Sequence, residues 1–111
     1  MIKRLSGYRF MWMMVLFDLP TGTKKERKRA HGFRMFLLDQ GFEMSQFSVY
    51  VRFVGDRSNT KPFARKIEAA APANGKVSIL MFTDKQFSDI INIRNREKSK
   101  PASEPEQILL F

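Results

Sequence analysis

The residue in this chain best placed for chemistry is an aspartate that closes an apolar run. From Tyr8 to Phe17 the sequence is apolar except for Arg9, and it then reads Asp18-Leu19-Pro20. A carboxylate at the exit of such a run is held by rigid backbone and is expected to be partly desolvated. Two readings of it stand. In one, Asp18 caps the turn from Pro20 to Thr23. In the other it ligates a divalent cation: Mg²⁺ takes a few carboxylates and keeps several waters, and a metal-bound water beside a phosphodiester would give hydrolysis. No other acid has a spacing that joins it to Asp18. Asp39 and Glu43 flank Gly41, Asp56 is in a loop, Asp84 starts a helix and Asp89 lies on it. A two-fold dimer would complete the site by bringing two Asp18 carboxylates across its axis, where without a cation the like charges would repel.

The second candidate is electrostatic. Lys24, Lys25, Arg27, Lys28 and Arg29 enclose a single acid, Glu26, and Arg34 and Arg52 could extend the stripe. The whole chain carries 20 Lys and Arg against 11 acids, a formal +9, which points to a polyanionic partner. Such a stripe grips phosphate backbones without reading bases. Ser48 and Tyr50 could touch a phosphate, and His31 is a candidate general acid, although a lone helical His is ordinarily a surface residue. Most Phe residues fall at core phases, so no stacking surface for single strands is evident.

Several classes are excluded. Zero Cys removes disulfides, thiolate chemistry and Cys-ligated zinc and agrees with a cytoplasmic address; a single His argues against a catalytic triad and a multi-His metal site. There is no phosphate-cradling Gly loop and no dinucleotide fingerprint. The apolar run is too short for a membrane span and lacks a small-residue cleavage site.

The elements that must position these residues follow from periodicity. With 111 residues, 43% of them hydrophobic, the chain can form one domain with its own core. Tyr8–Phe17 reads as a buried central strand. Thr23 and Glu26 have capping-box spacing, which starts a helix running to about Gln40, with Gly41 as its left-handed cap. Ala30, Phe33 and Leu37 form the inner stripe, widened by Phe36 and Leu38. Phe42 to Ser45 reads as a short strand. Phe47, Val49, Val51 and Phe53 alternate with polar neighbours, a strand buried on one side. A second helix around Pro62 turns Phe63, Ile67 and Ala70 inward and ends before Asn74-Gly75. Val77–Phe82 is a strand, and Thr83-Asp84 begins a short helix to about Ile91. Residues 94–106 read as a polar linker, and the apolar end, QILLF, as a strand that docks elsewhere.

The order β-α-β-β-α-β with a trailing strand is the ferredoxin-like α+β pattern. Residues 1–93 form the domain, and 94–111 the linker and C-terminal strand. A first strand apolar on both sides requires cover on the sheet's other face, and a second copy of the chain is the simplest cover.

In order and spacing, several segments together resemble the CRISPR-associated protein 2 family: Phe17-Asp18-Leu19-Pro20, Phe33-Arg34-Met35-Phe36-Leu37, Gly41-Phe42, Gln46-Phe47-Ser48-Val49-Tyr50 and Thr83-Asp84-Lys85-Gln86-Phe87. The Asp-Leu-Pro form and the end Ile108-Leu109-Leu110-Phe111 look most like members from type II systems. The resemblance implies a ferredoxin-like homodimer with facing sheets, in which the trailing strand of one subunit extends the other's sheet. It implies a place in spacer acquisition, the dimer bridging two dimers of the CRISPR integrase and helping to hold duplex DNA. It also implies Mg²⁺-dependent endonuclease activity on RNA or DNA in some members, with Asp18 at the position of the assigned metal ligand. A phosphodiesterase and a non-catalytic DNA-binding adaptor are therefore both open. A ferredoxin-like RNA-recognition module is disfavoured by the lack of a stacking-aromatic motif.

Reversing the charge at Lys24, Lys25 and Lys28 together is expected to weaken duplex binding and flatten its salt dependence. Titration of a labelled duplex at several salt concentrations checks this, and unchanged affinity would remove the basic helix from the argument.

Overall fold

A computed structural model describes residues 9–99. In chain order the elements are β1 (Phe10–Asp18), α1 (Lys24–Asp39), β2 (Glu43–Gln46), β3 (Val49–Asp56), a 3₁₀ turn (Arg57–Asn59), α2 (Thr60–Ala70), β4 (Lys76–Thr83), α3 (Asp84–Ser88), β5 (Asn92–Arg94) and β6 (Glu97–Ser99). Four strands form one antiparallel sheet in the order β2-β3-β1-β4, and β5 and β6 form a separate hairpin. This is the ferredoxin-like α+β arrangement, with β1 central.

Side chains alternate across β1, and both of its faces are apolar. Met11, Met13, Val15 and Phe17 point to the helix layer and pack with Tyr50, Val54, Phe33, Leu37, Phe42 and Ile67. Trp12 points to the opposite face, in a cluster with Val51 and Phe87 that Met14, Phe53, Phe82 and Ile90 surround. Its indole stacks on the Phe87 ring at 4.0 Å and donates Nε1–H to Asp84 Oδ1 at 2.8 Å. The chain's own α3 therefore covers the Trp12 end of the second face. The capping box Thr83–Gln86 fixes this helix, which stops at Ser88, three residues short of the expected end.

β3 differs from its sequence reading. As an interior strand it is enclosed on both sides, so Tyr50 and Val54 are buried on the helix side while Val51 is buried on the other. Phe47 is outside the strand altogether, in the two-residue turn with Ser48.

α1 begins as its capping box requires: Thr23 Oγ1 accepts from Glu26 N–H, and Glu26 Oε1 accepts from Thr23 N–H. Ala30, Phe33 and Leu37 are its buried residues, whereas Leu38 is exposed rather than part of the inner stripe. At its other end Gly41 has φ +88°, and a Cβ there would meet Arg52 Nε at 2.8 Å. Arg52 needs this approach. It donates Nε–H to Gln40 O and Nη1–H to Phe53 O, each at 2.8 Å, and its guanidinium lies 4.5 Å from the Phe63 ring centroid. Arg52 thus ties α1, β3 and α2 together and does not extend the basic stripe.

The segment expected to open a linker is ordered differently. Residues 92–99 form the β5–β6 hairpin, closed by Asn95 and Arg96 at φ 55° and 68°, the two positive values of a type I′ turn. Its Asn-Arg lacks the glycine that signals such turns. The segment 107–111, expected to be a docking strand, lies outside the described residues, as do 100–106 and the lead-in at 1–8. Among the described residues no helix is long and apolar enough to cross a membrane.

Arg52→Ala should lower unfolding free energy by about 2–3 kcal/mol, the scale of losing a charge-assisted hydrogen-bond pair, with nucleic-acid affinity unchanged. Denaturant titration and a binding assay on one preparation test both halves.

Candidate nucleic-acid and metal site

Strand alternation places Asp18 on the second face, in line with Leu16, Met14 and Trp12, and in register opposite Lys76 on β4. α3 does not reach this end. Asp18 is consequently exposed in the single chain, not desolvated as the apolar run implied, because burial of its neighbour Phe17 is on the other side of the sheet. It also caps nothing. Thr23 caps α1, Arg27 Nη1 donates to Thr21 O at 3.0 Å, and among the described residues the Asp18 carboxylate makes no hydrogen bond or ion pair. The turn-capping reading is thereby excluded.

The backbone at Asp18 is nevertheless closely held. Gly75, at φ +94°, ends the turn before β4, and a Cβ on it would lie 2.7 Å from Asp18 O and 2.9 Å from Leu19 Cδ2. Beside the carboxylate lies an open groove of about 350 Å³, lined by Leu16, Asp18, Phe47, Ser48, Lys76 and Ser78 among others.

The remaining acids are engaged elsewhere or stand apart. Glu26 belongs to the capping box, Asp84 accepts from Trp12, and Asp89 pairs with Lys85 at 2.9 Å. Asp56 accepts from Ser58 N–H, from the Ser58 hydroxyl and from Arg9 Nε–H, and these, in that order, lower its pKa from 3.8 to about 2. Asp39 and Glu43 do not line the groove. Among the described residues no three His, Asp or Glu side chains gather closely enough to hold a metal ion. One unpaired carboxylate with hydroxyls near it fits Mg²⁺ only as a partial set, of the kind that leaves most positions to water or to a second subunit.

The cations divide into two groups. Lys24, Lys25, Arg27, Lys28 and Arg29 are exposed along the first turns of α1, as a phosphate-binding stripe requires. Arg34 is half-buried, and its guanidinium sits between the Phe17 and Phe47 rings, 5.6 and 5.1 Å from their centroids. Both rings line the groove, and Arg34 itself lies behind them. Of the other candidates, Ser48 lines the groove, Tyr50 is buried in the core and cannot reach a phosphate, and His31 is exposed on α1, not among the groove residues. Sequence reasoning missed two features. Lys61 and Arg65, one turn apart and exposed, give α2 a basic face of its own. Phe47 is 80% exposed at the groove's rim. Its place in an alternating apolar series concealed it, although the break expected near Ser45-Gln46 was the available signal.

The fold and these residues define a class: a basic ferredoxin-like protein with an exposed carboxylate at the end of its central strand. The profile of the family described as CRISPR associated protein Cas2 matches residues 11–90. The CRISPR-associated endoribonuclease Cas2 of Paracidovorax avenae is 51% identical over 107 residues, covering 96% of this chain and 99% of that protein. Its namesake in Flavobacterium psychrophilum is 42% identical over 108 residues, covering 97% and 94%, and that of Streptococcus mutans serotype c is 36% identical over 101 residues, covering 91% and 92%. The chain belongs to the Cas2 family.

Gly75→Ala should destabilise by about 1–3 kcal/mol, through its positive φ and the contact with Asp18. Gly32→Ala, a helical position where a Cβ meets nothing within 4 Å, should stabilise by about 0.5–1 kcal/mol. Thermal melts of the two variants beside the parent check the contrast.

Proposed function

We propose that the chain works in CRISPR spacer acquisition as a homodimer that binds duplex DNA between two dimers of the CRISPR integrase, and that it can also hydrolyse phosphodiester bonds with Mg²⁺. The observation that carries the catalytic part is Asp18: an exposed carboxylate on a closely held backbone, at the uncovered end of a sheet face that is apolar around Trp12 and Met14 and carries Lys76 and Ser78 beside Asp18. Leu16, Val49 and the 38%-exposed Leu80 lie on that face or at its margin, and packing it against the same face of a second copy would remove this apolar surface from water. Such a pairing sets two Asp18 residues and two grooves about one axis. The exposed Ile91 and Ile93 on and before β5 offer a further apolar edge for the partner.

In this reading Mg²⁺, when bound, supplies Lewis acidity to the phosphate and an activated water. The chain's own residues hold and orient. Asp18 fixes the cation, Gly75 fixes Asp18, and Arg34 and Lys76 border the path of the phosphate. The stripe of Lys24, Lys25, Arg27, Lys28 and Arg29 binds backbone phosphates farther along. The relatives' name, endoribonuclease, favours RNA as a substrate of the cleavage reaction.

The adaptor reading, in which binding alone matters, is favoured by a specific observation: the exposed cations of α1 and α2 far outnumber the groove's one acid. Asp18→Ala separates the two. With a phosphodiesterase, Mg²⁺-dependent cleavage of a labelled RNA or DNA is lost by about 100-fold or more, a typical scale for removing an electrostatic stabiliser, while duplex affinity persists. A variant that cleaves as well as the parent would refute the role of Asp18. A mass measurement in solution should give a dimer, and a monomer at working concentration would end the shared-site proposal.

A further inference from the structure

The exposed ring of Phe47 is unusual in its support. It occupies the first position of the two-residue turn between β2 and β3, and Ser48 follows at φ 67°, a left-handed value uncommon for a residue with a side chain. The turn is pinned to the central strand by Phe17 N–H donating to Ser48 O at 3.1 Å. Arg34, from the helix layer, lies against the Phe47 ring and against Phe17 behind it, and its Nε, although buried, has no hydrogen-bond partner among the described residues. The outcome is an aromatic plane fixed at the rim of the Asp18 groove, backed by a cation and 80% open to solvent.

We infer that Phe47 is a stacking platform for one unpaired nucleobase of a single-stranded nucleic acid. A base offers a flat π-face to the ring, while Arg34 beside the ring and Lys76 in the groove suit the phosphates on either side. Every base has such a face, so the platform selects unpaired over paired nucleotides without reading sequence. A base stacked there brings its own phosphate to the groove that holds Asp18. This inference rests on the nucleic-acid reading above and adds strand type to it: the site takes single strands, whereas the basic stripe on α1 accepts a duplex.

The test uses the full chain in EDTA, so that nothing is cleaved, and a short unstructured RNA and DNA of one sequence, each containing a fluorescent adenine analogue, beside the duplex form of that DNA. Phe47→Ala should weaken binding of both single strands roughly 5- to 150-fold, the range for loss of one base–aromatic stack, and abolish the stacking quench. Duplex affinity should hold, and Phe47→Trp should restore the quench. Three results would overturn the inference: parental single-strand affinity in Phe47→Ala, an equal loss for duplex and single strands, or a changed subunit mass showing that the ring packs on a second copy. Asp18→Ala keeps the two proposals apart. It should retain the quench even if cleavage proves independent of Asp18.

Discussion

The structure depends on a central strand that is apolar on both sides. β1 cannot rest on the surface of a two-layer fold without exposing either Met13, Val15 and Phe17 or Trp12 and Met14. The helix layer of α1 and α2 buries the first set. The second set is covered at one end by α3, through the Trp12–Phe87 stack and the hydrogen bond to Asp84. That helix is five residues long and reaches no farther. The strand therefore ends with Leu16 and Asp18 on sheet that this helix leaves uncovered, while Phe17 between them is buried on the helix side.

The cations show how little a charge count determines. Arg52 is held by two carbonyls and an aromatic ring, and joins three elements of the fold. Arg34 is clasped between two phenylalanines, where dispersion and cation–π attraction fix it more firmly than solvent would. Arg27 supports the turn that follows β1. Lys24, Lys25, Lys28 and Arg29 stay in water, where their field can act on a polyanion. Equal formal charges thus divide into structural pins, a cation held against aromatic rings and a diffuse exposed surface according to what lies within a few ångströms.

The acids divide in the same manner. Asp56, Asp84, Asp89 and Glu26 each satisfy donors that the fold would otherwise leave bare. Among the described residues Asp18, Asp39, Glu43 and Glu68 accept no side-chain hydrogen bond and form no ion pair; of these four Asp18 alone lines the groove, and its backbone is wedged by Gly75. Its main chain is thus tightly constrained while its carboxylate stays exposed, at the strand end on which the resemblance to the family rests.

The sequence by itself determined the element order, the capping box at Thr23, the inner stripe of α1, the left-handed Gly41 and the position of Asp18 at a strand exit. These are local properties, written in spacing, in hydroxyl and carboxylate types and in glycine's freedom at positive φ. Tertiary structure alone decided that β3 is enclosed on both faces, that Tyr50 is core, that Arg52 is a pin, that Phe47 stands in water beside Asp18 and that 92–99 form a hairpin. Each of those depends on which distant segment lies alongside. An alternating Phe is buried or bare according to where its strand stops, and an arginine is bound or free according to whether a carbonyl from another element faces it, and neither fact is carried by neighbours along the chain.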